Sequence, residues 1–391
     1  MWLRSVTRPF SAYVHVPFCR ARCGYCDFNT YVADFGPGAN RTTFDQSVAL
    51  EIGRAKAHLG PRQLQTVFFG GGTPTMLPAA ALASILSELD SAFPLASKAE
   101  VTTEANPETV SRDDLFQLAK AGFTRVSFGM QSAVPRVLAT LDRTHRPERV
   151  PQVVQWAKEA NFAVSLDLIY GAPGESIEDW NASLDAVIGM DVDHVSCYAL
   201  VIEGGTKMAN DLRHGKIAPV DQDVQAEKYR LADARLSDAG FRWYEISNWA
   251  RPKEGEEHKV STELENACKH NLAYWRNWDW WGFGPGAHSH LADRRFWNVK
   301  HPLAYANALR QGRSTVLGEE RLDATTKELE RIMLGVRISE GLPKADVSAA
   351  GLSRCRELGW VDEYALKQGR VVATLQGRLM ADSMTLTLLG S

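Results

Sequence analysis

The chain has 391 residues, a formal net charge of −3 and an ordinary globular composition, with 45% hydrophobic and 23% charged residues. The near-balanced charge gives no electrostatic reason to expect a nucleic-acid partner, and no apolar run is long enough to be a transmembrane segment. The opening residues, MWLRSVTRPFSAY, lack the apolar stretch of a secretory signal, so a cytoplasmic location is expected.

Short apolar runs alternate with longer helical patterns over the first half of the chain. The runs are rich in Val, Phe, Ile and Thr and are bounded by Gly, Pro or Asp, which is typical of buried parallel strands. Six runs are predicted as strands: 12–16, 65–71, 99–105, 124–130, 162–171 and 193–200. This α/β pattern predicts a partial (β/α)6 barrel, with its chemistry at the carboxyl ends of the strands.

The pattern weakens after residue 200, where a segment rich in Trp, Gly and His extends to residue 291. The charged stretch 251–259 is expected to be a solvated loop. Helical patterns and short apolar runs return near residue 303 and predict a small α/β winged-helix-like domain. We therefore expect residues 1–300 to form the barrel with an extension after 200, and residues 301–391 to form a separate C-terminal domain.

Three of the six cysteines, Cys19, Cys23 and Cys26, follow the first predicted strand with the spacing C-x3-C-x2-C. In a reducing compartment, clustered thiols indicate metal binding rather than disulfides. Thiolates suit both zinc and iron–sulfur clusters. Three thiolates on a four-iron cluster would leave one iron open to a small molecule. A zinc-stabilised barrel with no redox role stays an alternative.

The remaining cysteines are scattered along the chain. Cys197 lies in the apolar run HVSCYAL and is expected to be a small buried hydrophobe, as is Cys355. Cys268 lies two residues before His270, and its role stays open.

Polar side chains and glycines lie at the ends of the later strands. The stretch GGGTP at 70–74 lets the backbone approach a ligand closely, although a plain tight turn would also use it. Glu104, Gln131 and Arg143 each have a structural alternative, as a helix cap, a loop contact and a surface cation. Asp167 lies within a buried strand and needs a polar partner. Together they offer acceptors for ribose hydroxyls and a cation for a carboxylate.

The cysteine motif after a first strand resembles the radical S-adenosylmethionine (SAM) superfamily. The resemblance implies that Cys19, Cys23 and Cys26 bind a [4Fe–4S] cluster whose fourth iron is chelated by SAM. In that superfamily the reduced cluster cleaves SAM to give a 5′-deoxyadenosyl radical. By the same resemblance, the residues expected to contact SAM are Tyr13, Gly71, Gly72, Thr73, Glu104, Gln131, Arg143 and Asp167.

Further motifs resemble a narrower family, which contains oxygen-independent coproporphyrinogen III oxidase and its haem-chaperone paralogue HemW. They are YVHVPFC, FGGGTP, TEANPETV, RVSFGMQS, DLIYGAPGES and HNLAYW, and the resemblance runs from about residue 12 to 385 and includes a C-terminal domain of HemN type. The oxidase carries another cysteine two positions after the third, where this chain and the haem chaperones have phenylalanine, here Phe28. A phenyl ring cannot replace a thiol as a ligand or hydrogen donor.

The stretch HNLAYW resembles a haem-chaperone signature associated with haem binding, and this implies His270 as the haem ligand. Imidazole ligates haem iron, and Tyr and Trp offer flat apolar surface to a porphyrin. The charged segment before this stretch is longer than is usual in the family, which leaves the place of His270 relative to the barrel mouth open. Other candidates for haem contact are His288, His290, Trp278, Trp280 and Trp281, although the tryptophans fit core packing equally well.

The resemblance predicts a haem chaperone that binds a [4Fe–4S] cluster, SAM and haem. It is expected to transfer haem to an acceptor haemoprotein that is membrane-associated. The alternative is the oxidase, in which a radical abstracts hydrogen from a propionate side chain and carbon dioxide leaves to form a vinyl group. Phe28 favours the chaperone.

Overall fold

The computed structural model describes residues 8–390. Its centre is a parallel sheet whose strands lie side by side in chain order. These strands are β1 Phe10–Val16, β2 Leu64–Gly71, β3 Leu95–Ala105, β4 Arg125–Gln131, β5 Ala163–Tyr170 and β6 His194–Ala199. All six predicted strands are confirmed, and with them the partial (β/α)6 barrel.

Helices connect successive strands and pack on the outer face of the sheet. They are α1 Phe44–Leu59, α2 Ala79–Ala92, α3 Arg112–Ala121, α4 Pro135–Thr140, α5 Arg149–Glu159 and α6 Ile177–Gly189, with short 3-10 turns at Pro74–Met76 and Pro107–Thr109. Capping boxes fix the starts of two helices: Ser111 pairs with Asp114 at α3, and Ser176 pairs with Asp179 at α6.

Side chains alternate between the two faces of each strand. In β1 the residues Phe10, Val14 and Val16 belong to the main hydrophobic core beneath the helices. The intervening residues, such as Tyr13 and His15, therefore face the inside of the barrel. The same alternation places polar residues of the later strands inside the barrel, and this inner face carries the candidate site.

The chain after β6 extends the sheet on both sides. The added elements are α7 Lys207–Arg213, α8 Gln222–Asp238, β7 Arg242–Glu245, β8 Asn248–Ala250, a 3-10 turn Ser261–Glu263, α9 Lys269–Trp275, β9 Asp279–Phe283, β10 His288–Leu291, β11 Arg294–Asn298, α10 Pro302–Arg310 and β12 Val316–Arg321. The full strand order is β12-β11-β10-β9-β1-β2-β3-β4-β5-β6-β8-β7. Strand β9 runs parallel to β1, whereas β10, β11 and β12 follow as antiparallel neighbours.

The C-terminal part contains small helices and one short antiparallel strand pair, as the predicted small α/β domain requires. Its elements are α11 Ala324–Gly335, β13 Leu342–Pro343, a 3-10 turn Lys344–Asp346, α12 Ala349–Glu357, α13 Glu363–Lys367, β14 Arg370–Val371, α14 Leu375–Leu379 and α15 Ala381–Leu389. They enclose a separate hydrophobic cluster that includes Ile332, Cys355 and Met384. Cys355 and Cys197 are buried, as predicted.

The division of the chain at residue 300 stays a prediction. Strand β12 pairs with β11, so the large sheet continues to Arg321, whereas the separate C-terminal cluster begins at Ile332. We therefore propose that the boundary between the two domains lies between these two residues. Within residues 8–390, no helix combines the length and the apolar character that a membrane crossing requires.

Candidate functional site

A cavity of about 900 Å³ fills the inside of the barrel and extends to the loops at the carboxyl ends of the strands. Its volume falls within the range of small-molecule and cofactor sites. Alternate residues of four strands line its wall: Thr102 and Glu104 on β3, Arg125, Ser127 and Gly129 on β4, Ser165, Asp167 and Ile169 on β5, and His194, Ser196 and Tyr198 on β6. Because side chains alternate along each strand, the sheet is apolar towards the helices and polar towards the cavity.

The three clustered cysteines lie at one rim of this cavity, in the loop after β1. The loop is tied at both ends, because Cys19 N–H donates to the carbonyl of Tyr31 at 2.9 Å and Tyr31 N–H donates to Pro17 at 2.7 Å. Hydroxyl and guanidinium donors approach two of the sulfurs: Thr73 lies 3.8 Å from Sγ of Cys19, and Arg143 lies 3.6 Å from Sγ of Cys23.

The thiols are partly buried and free of disulfides. Burial raises the pKa of Cys19 to about 11, although the hydrogen bond from Thr73 acts in the opposite direction. Burial also raises the pKa of Cys26. Metal binding would hold these thiols as thiolates. Within residues 8–390, no three His, Cys, Asp or Glu side chains are arranged to hold a single metal ion.

The glycines at the end of β2 fit closely against the cysteine loop. A Cβ on Gly72 would lie 2.7 Å from the carbonyl oxygen of Phe18 and 2.8 Å from that of Val16. The amide of Gly72 donates a hydrogen bond to the carbonyl of Val16 at 2.8 Å, and the amide of Thr73 donates one to the carbonyl of Phe18 at 2.8 Å. The predicted SAM contacts of Gly71, Gly72 and Thr73 stay predictions, and the structure gives this stretch the role of supporting the loop.

Two half-buried carboxyl groups, Glu104 and Asp167, line the cavity. Burial, reinforced by the nearby charge of Asp167, raises the pKa of Glu104 to about 8. Burial also raises the pKa of Asp167, and hydrogen bonds from Ser196 and Ser127 and the charge of Arg143 oppose that shift. Ser127 donates to Asp167 at 2.9 Å, which supplies the partner that the sequence demanded, and Gly71 N–H donates to Oε2 of Glu104 at 3.2 Å.

Polar atoms without partners mark where a polar ligand would fit. Gln131 is buried, adopts a positive φ of 63° and leaves its Oε1 atom without a hydrogen bond. The Nε atom of Arg143 is likewise buried and unpaired, whereas its Nη2 atom donates to the carbonyl of Gly129 at 2.7 Å. Both side chains line the cavity beside the carboxyl pair. Because such groups are costly to bury unpaired, a ligand with donors and acceptors fits this wall.

Tyr13 lies on the inner face but is not among the residues that line the cavity. Its hydroxyl group is 3.1 Å from Nδ1 of His15, and its ring stacks on Phe68. Its predicted contact with SAM therefore stays a prediction without support from this arrangement. His15 links strand and loop, because its Nε2 atom is 2.9 Å from the carbonyl oxygen of Asn29.

The assignment of His270 as the haem ligand stays a prediction, and the structure describes only the surroundings of this residue. The residue is only 1% exposed, and both ring nitrogens are engaged, Nδ1 with Thr66 at 2.7 Å and Nε2 with the hydroxyl of Tyr274 at 3.0 Å. Its ring stacks on Phe68, and burial lowers its pKa to about 4. In this conformation both ring nitrogens of His270 therefore have partners within the protein.

The helix that carries His270, α9, packs against a buried ion pair that sequence reasoning missed. Arg125 Nε lies 3.1 Å from Oε2 of Glu100, and both side chains are about 5% exposed or less. Glu100 also accepts hydrogen bonds from the amides of Lys269 and His270 and from the thiol of Cys268. The sequence did offer a signal, because the predicted strands 99–105 and 124–130 each contain a charged residue, Glu100 and Arg125.

Phe28 lies at the cavity rim beside the cysteines and is 57% exposed. Tyr198 and Val201 also line the cavity and are exposed. Arg20 and Arg22 complete the lining near Phe28. The mouth therefore combines exposed apolar side chains with cations.

The partial barrel, its rim of three cysteines and the polar wall together define a protein of the radical SAM class, and the Radical SAM superfamily model matches residues 13–187. Over 387 residues the chain is 46% identical to the haem chaperone HemW of Mycobacterium tuberculosis, which covers 98% of this chain and 95% of the relative. HemW of Escherichia coli is 32% identical, with 87% of this chain and 86% of the relative covered. The chain belongs to the HemW family.

A solved structure supports the fold independently. Coproporphyrinogen III oxidase (HemN) from Escherichia coli, described as a radical SAM enzyme, matches with a TM-score of 0.79 and covers 98% of this chain and 90% of its own. The two sequences are only 21% identical, so this likeness speaks for the fold alone. It extends over the barrel and the C-terminal part together.

Proposed function

We propose that this protein is a haem chaperone, which binds a [4Fe–4S] cluster, SAM and haem and transfers haem to an acceptor haemoprotein. The observation that carries the proposal is the 46% identity to a protein named haem chaperone HemW over 98% of the chain. Phe28, exposed beside the cysteines where the oxidase pattern has a fourth cysteine, points the same way. A membrane-associated acceptor and a cytoplasmic location stay predictions.

The proposed cluster site consists of Cys19, Cys23 and Cys26. Thiolates are the usual ligands of iron–sulfur clusters, and the loop holds these three at the cavity rim. Thr73 and Arg143 lie close enough to two of the sulfurs to donate hydrogen bonds to them, which tunes the potential of a bound cluster. The bound cluster would supply an electron and an open iron for a chelating cofactor.

The proposed SAM site is the wall next to this rim. The two carboxyl groups of Glu104 and Asp167 offer acceptors for hydroxyl groups, and the unpaired atoms of Gln131 and Arg143 offer one further acceptor and one donor. Arg143 also supplies a cation for a carboxylate. These groups fit a cofactor that carries an amino acid and a ribose.

The test uses anaerobically reconstituted full-length protein with two assays. First, haem is titrated and then offered to the apo form of a membrane haemoprotein, with transfer followed by absorbance. We expect one equivalent to bind and to move to the acceptor. Second, coproporphyrinogen III, SAM and a reductant are added, and no vinyl product above the protein-free background is expected.

Catalytic formation of vinyl groups would overturn the proposal in favour of the oxidase. Failure to bind stoichiometric haem would overturn it as well. A Cys23→Ser variant serves as the control for the cluster, since it should lose iron and sulfide. Haem uptake by that variant separates a haem site that depends on the cluster from one that does not.

A further inference from the structure

The glycine-rich stretch 282–287, GFGPGA, lies against the cysteine loop but is not part of the cofactor sites proposed above. Two of its glycines have a positive φ, 104° at Gly284 and 75° at Gly286. A Cβ on Gly284 would lie 2.4 Å from the carbonyl oxygen of His15, and one on Gly286 would lie 2.6 Å from Nδ2 of Asn29. Glycine therefore lets this stretch approach both the end of β1 and a residue that follows Cys26 by three positions.

Asn29 joins the cysteine loop to this stretch through its side chain. The amide nitrogen Nδ2 donates to the carbonyl of Pro285 at 3.0 Å and to the carbonyl of Lys300 at 2.8 Å. The amide oxygen accepts a hydrogen bond from the hydroxyl of Tyr31 at 3.2 Å, and the main-chain carbonyl of Asn29 lies 2.9 Å from Nε2 of His15. Three segments that are far apart in the chain thus determine where this residue lies.

The stretch that receives Asn29 is itself held by a buried carboxyl group, Glu51 of α1, which is 3% exposed. The amide of Gly284 donates to Glu51 at 2.8 Å, the hydroxyl of Tyr305 at 2.6 Å and the side chain of Asn298 at 2.7 Å. Asn298 also donates to the carbonyl of Gly284 at 2.9 Å. Because a satisfied buried network makes its members rigid, this stretch is a fixed support for the side chain of Asn29.

The chain that leaves the third cysteine is anchored at Asn29. Asp27 and Phe28, the two residues that follow Cys26, are exposed. Asn29 comes next and is half-buried, and Tyr31 then ties the loop back to the chain before Cys19. The position of Cys26 therefore depends on how firmly Asn29 is held.

Resting on the proposed function, which requires the cluster, we propose that Asn29 is a positioning residue for the cluster and acts through Cys26. It transmits the position of stretch 282–287 and of Lys300 to the cysteine loop. Residues that orient metal ligands affect both the affinity and the redox potential of the site that they support. The cluster loop near the start of the chain thus depends on a glycine-rich stretch more than 250 residues away.

The first test changes the glycine stretch and leaves the cysteine loop itself unaltered. In Gly286→Ala the new Cβ displaces the amide of Asn29, so anaerobically reconstituted full-length protein should release iron to a chelator about tenfold faster. The midpoint potential and the EPR spectrum of the reduced cluster should shift as well. The matched control is Gly312→Ala. Gly312 has a similar φ of 70°, and among the described residues a new Cβ there meets nothing within 4 Å, so all three measurements should stay unchanged.

The second test changes Asn29 directly. Asn29→Asp keeps the acceptor of the side chain but replaces its donor by an oxygen, which the two carbonyl oxygens repel, so the same three changes are expected. The matched control is Asn40→Asp, a little further along the chain. The side-chain oxygen of Asn40 accepts hydrogen bonds from the amides of Thr42 and Thr43, and a carboxylate oxygen can accept the same bonds. That variant should release iron at the wild-type rate within about twofold.

The outcomes separate this proposal from the proposed function. If Gly286→Ala and Asn29→Asp both keep the wild-type rate of iron release and the wild-type EPR spectrum, Asn29 is not a positioning residue, although the proposed function stands. Reduced thermal stability with an unchanged spectrum and potential of the cluster that remains would also overturn the proposal, because it shows a purely structural contact. Should Gly286→Ala not fold, Asn29→Asp decides alone. If the wild-type protein holds no iron and sulfide, the proposed function itself fails.

Discussion

The guanidinium group of Arg143 donates a hydrogen bond to Sγ of Cys23 across 3.6 Å, and a second to the carbonyl oxygen of Gly129 at 2.7 Å. One side chain thus joins the cysteine loop to the end of β4. Its Nε atom is buried and has no partner, and the residue lines the cavity. The planar guanidinium group has several N–H donors in fixed directions, so it can donate to a sulfur, a backbone carbonyl and a ligand at the same time. The compact ammonium group of lysine cannot do this.

Replacing Arg143 by lysine is therefore expected to separate cofactor binding from cluster binding. Arg143→Lys keeps the charge but loses these fixed donors, so we expect the dissociation constant for SAM to rise about tenfold. Iron and sulfide content should be retained, because the three thiols are unchanged. Anaerobic calorimetry measures the dissociation constant for SAM, and chemical analysis measures the iron and sulfide content.

The control for this experiment is Arg146→Lys. Arg146 also lines the cavity, but its side chain is 75% exposed and pairs with Glu108. That change should leave SAM affinity within about twofold, since exposed ion pairs contribute little. Unchanged SAM affinity in Arg143→Lys would contradict the assignment of this residue.

The raised pKa of the half-buried Glu104 predicts a dependence of stability on pH. Its pKa is raised to about 8, chiefly by burial, so the folded state holds the proton more tightly than the unfolded chain. The stabilisation is complete below the ordinary pKa of 4.5 and is lost as the pH rises through about 8. Between pH 6 and pH 9 the loss of this proton should lower the free energy of unfolding by about 3 kcal/mol.

Glu104→Gln removes that titration, so its free energy of unfolding should fall less between these two pH values than that of the wild type. Urea unfolding at both pH values measures the difference. Glu178→Gln provides the comparison, because Glu178 is an exposed carboxylate at the start of α6. Parallel pH profiles for wild type and Glu104→Gln would contradict the raised pKa.

Much of the barrel could be predicted from the sequence because buried parallel strands leave continuous apolar runs. The predicted strand at 65–71 corresponds to Leu64–Gly71, and that at 162–171 corresponds to Ala163–Tyr170. Asp167 was recognised because a carboxylate inside such a run must have a partner, and Ser127 supplies it. The cysteine loop was recognisable because its residues are close together in the chain.

The extension of the sheet was not predicted, because its strands are short and rich in Trp, His and Gly. Those residues suggested ligand contacts, and the strands β9 to β11 that contain them were not predicted. The environment of His270 was equally hidden, since its partner Thr66 lies 204 residues away. A pattern of neighbouring residues cannot show that a motif lies against the inner face of a distant strand.

The ion pair between Glu100 and Arg125 is expected to be essential for stability. Glu100→Gln would leave the guanidinium buried without its counter-charge and weaken the capping of α9, so we expect a loss of about 3–5 kcal/mol in the free energy of unfolding. Chemical unfolding measures it. The double variant Glu100→Gln, Arg125→Met should recover part of the loss, because no unpaired charge remains. A loss below about 1 kcal/mol in the single variant would show that the pair is dispensable.

The glycine stretch at the end of β2 predicts a link between backbone packing and cluster binding. In Gly72→Ala the added Cβ meets two carbonyl oxygens of the chain that leads into the cysteine loop, and backbone atoms cannot rotate away as a flexible side chain can. We expect the loop to shift, iron and sulfide content to fall by half or more, and stability to drop by about 1–3 kcal/mol.

The matched variant for Gly72→Ala is Gly53→Ala. Gly53 lies within α1, where a new Cβ would meet nothing within 4 Å, so alanine should leave cluster content unchanged. It should also stabilise the helix by about 0.5–1 kcal/mol, because alanine loses less backbone entropy than glycine. Iron and sulfide analysis, together with thermal unfolding of both variants, distinguishes the two positions. Full cluster content in Gly72→Ala would contradict this prediction. It would show that the cysteine loop keeps its geometry when the backbone of Gly72 is displaced.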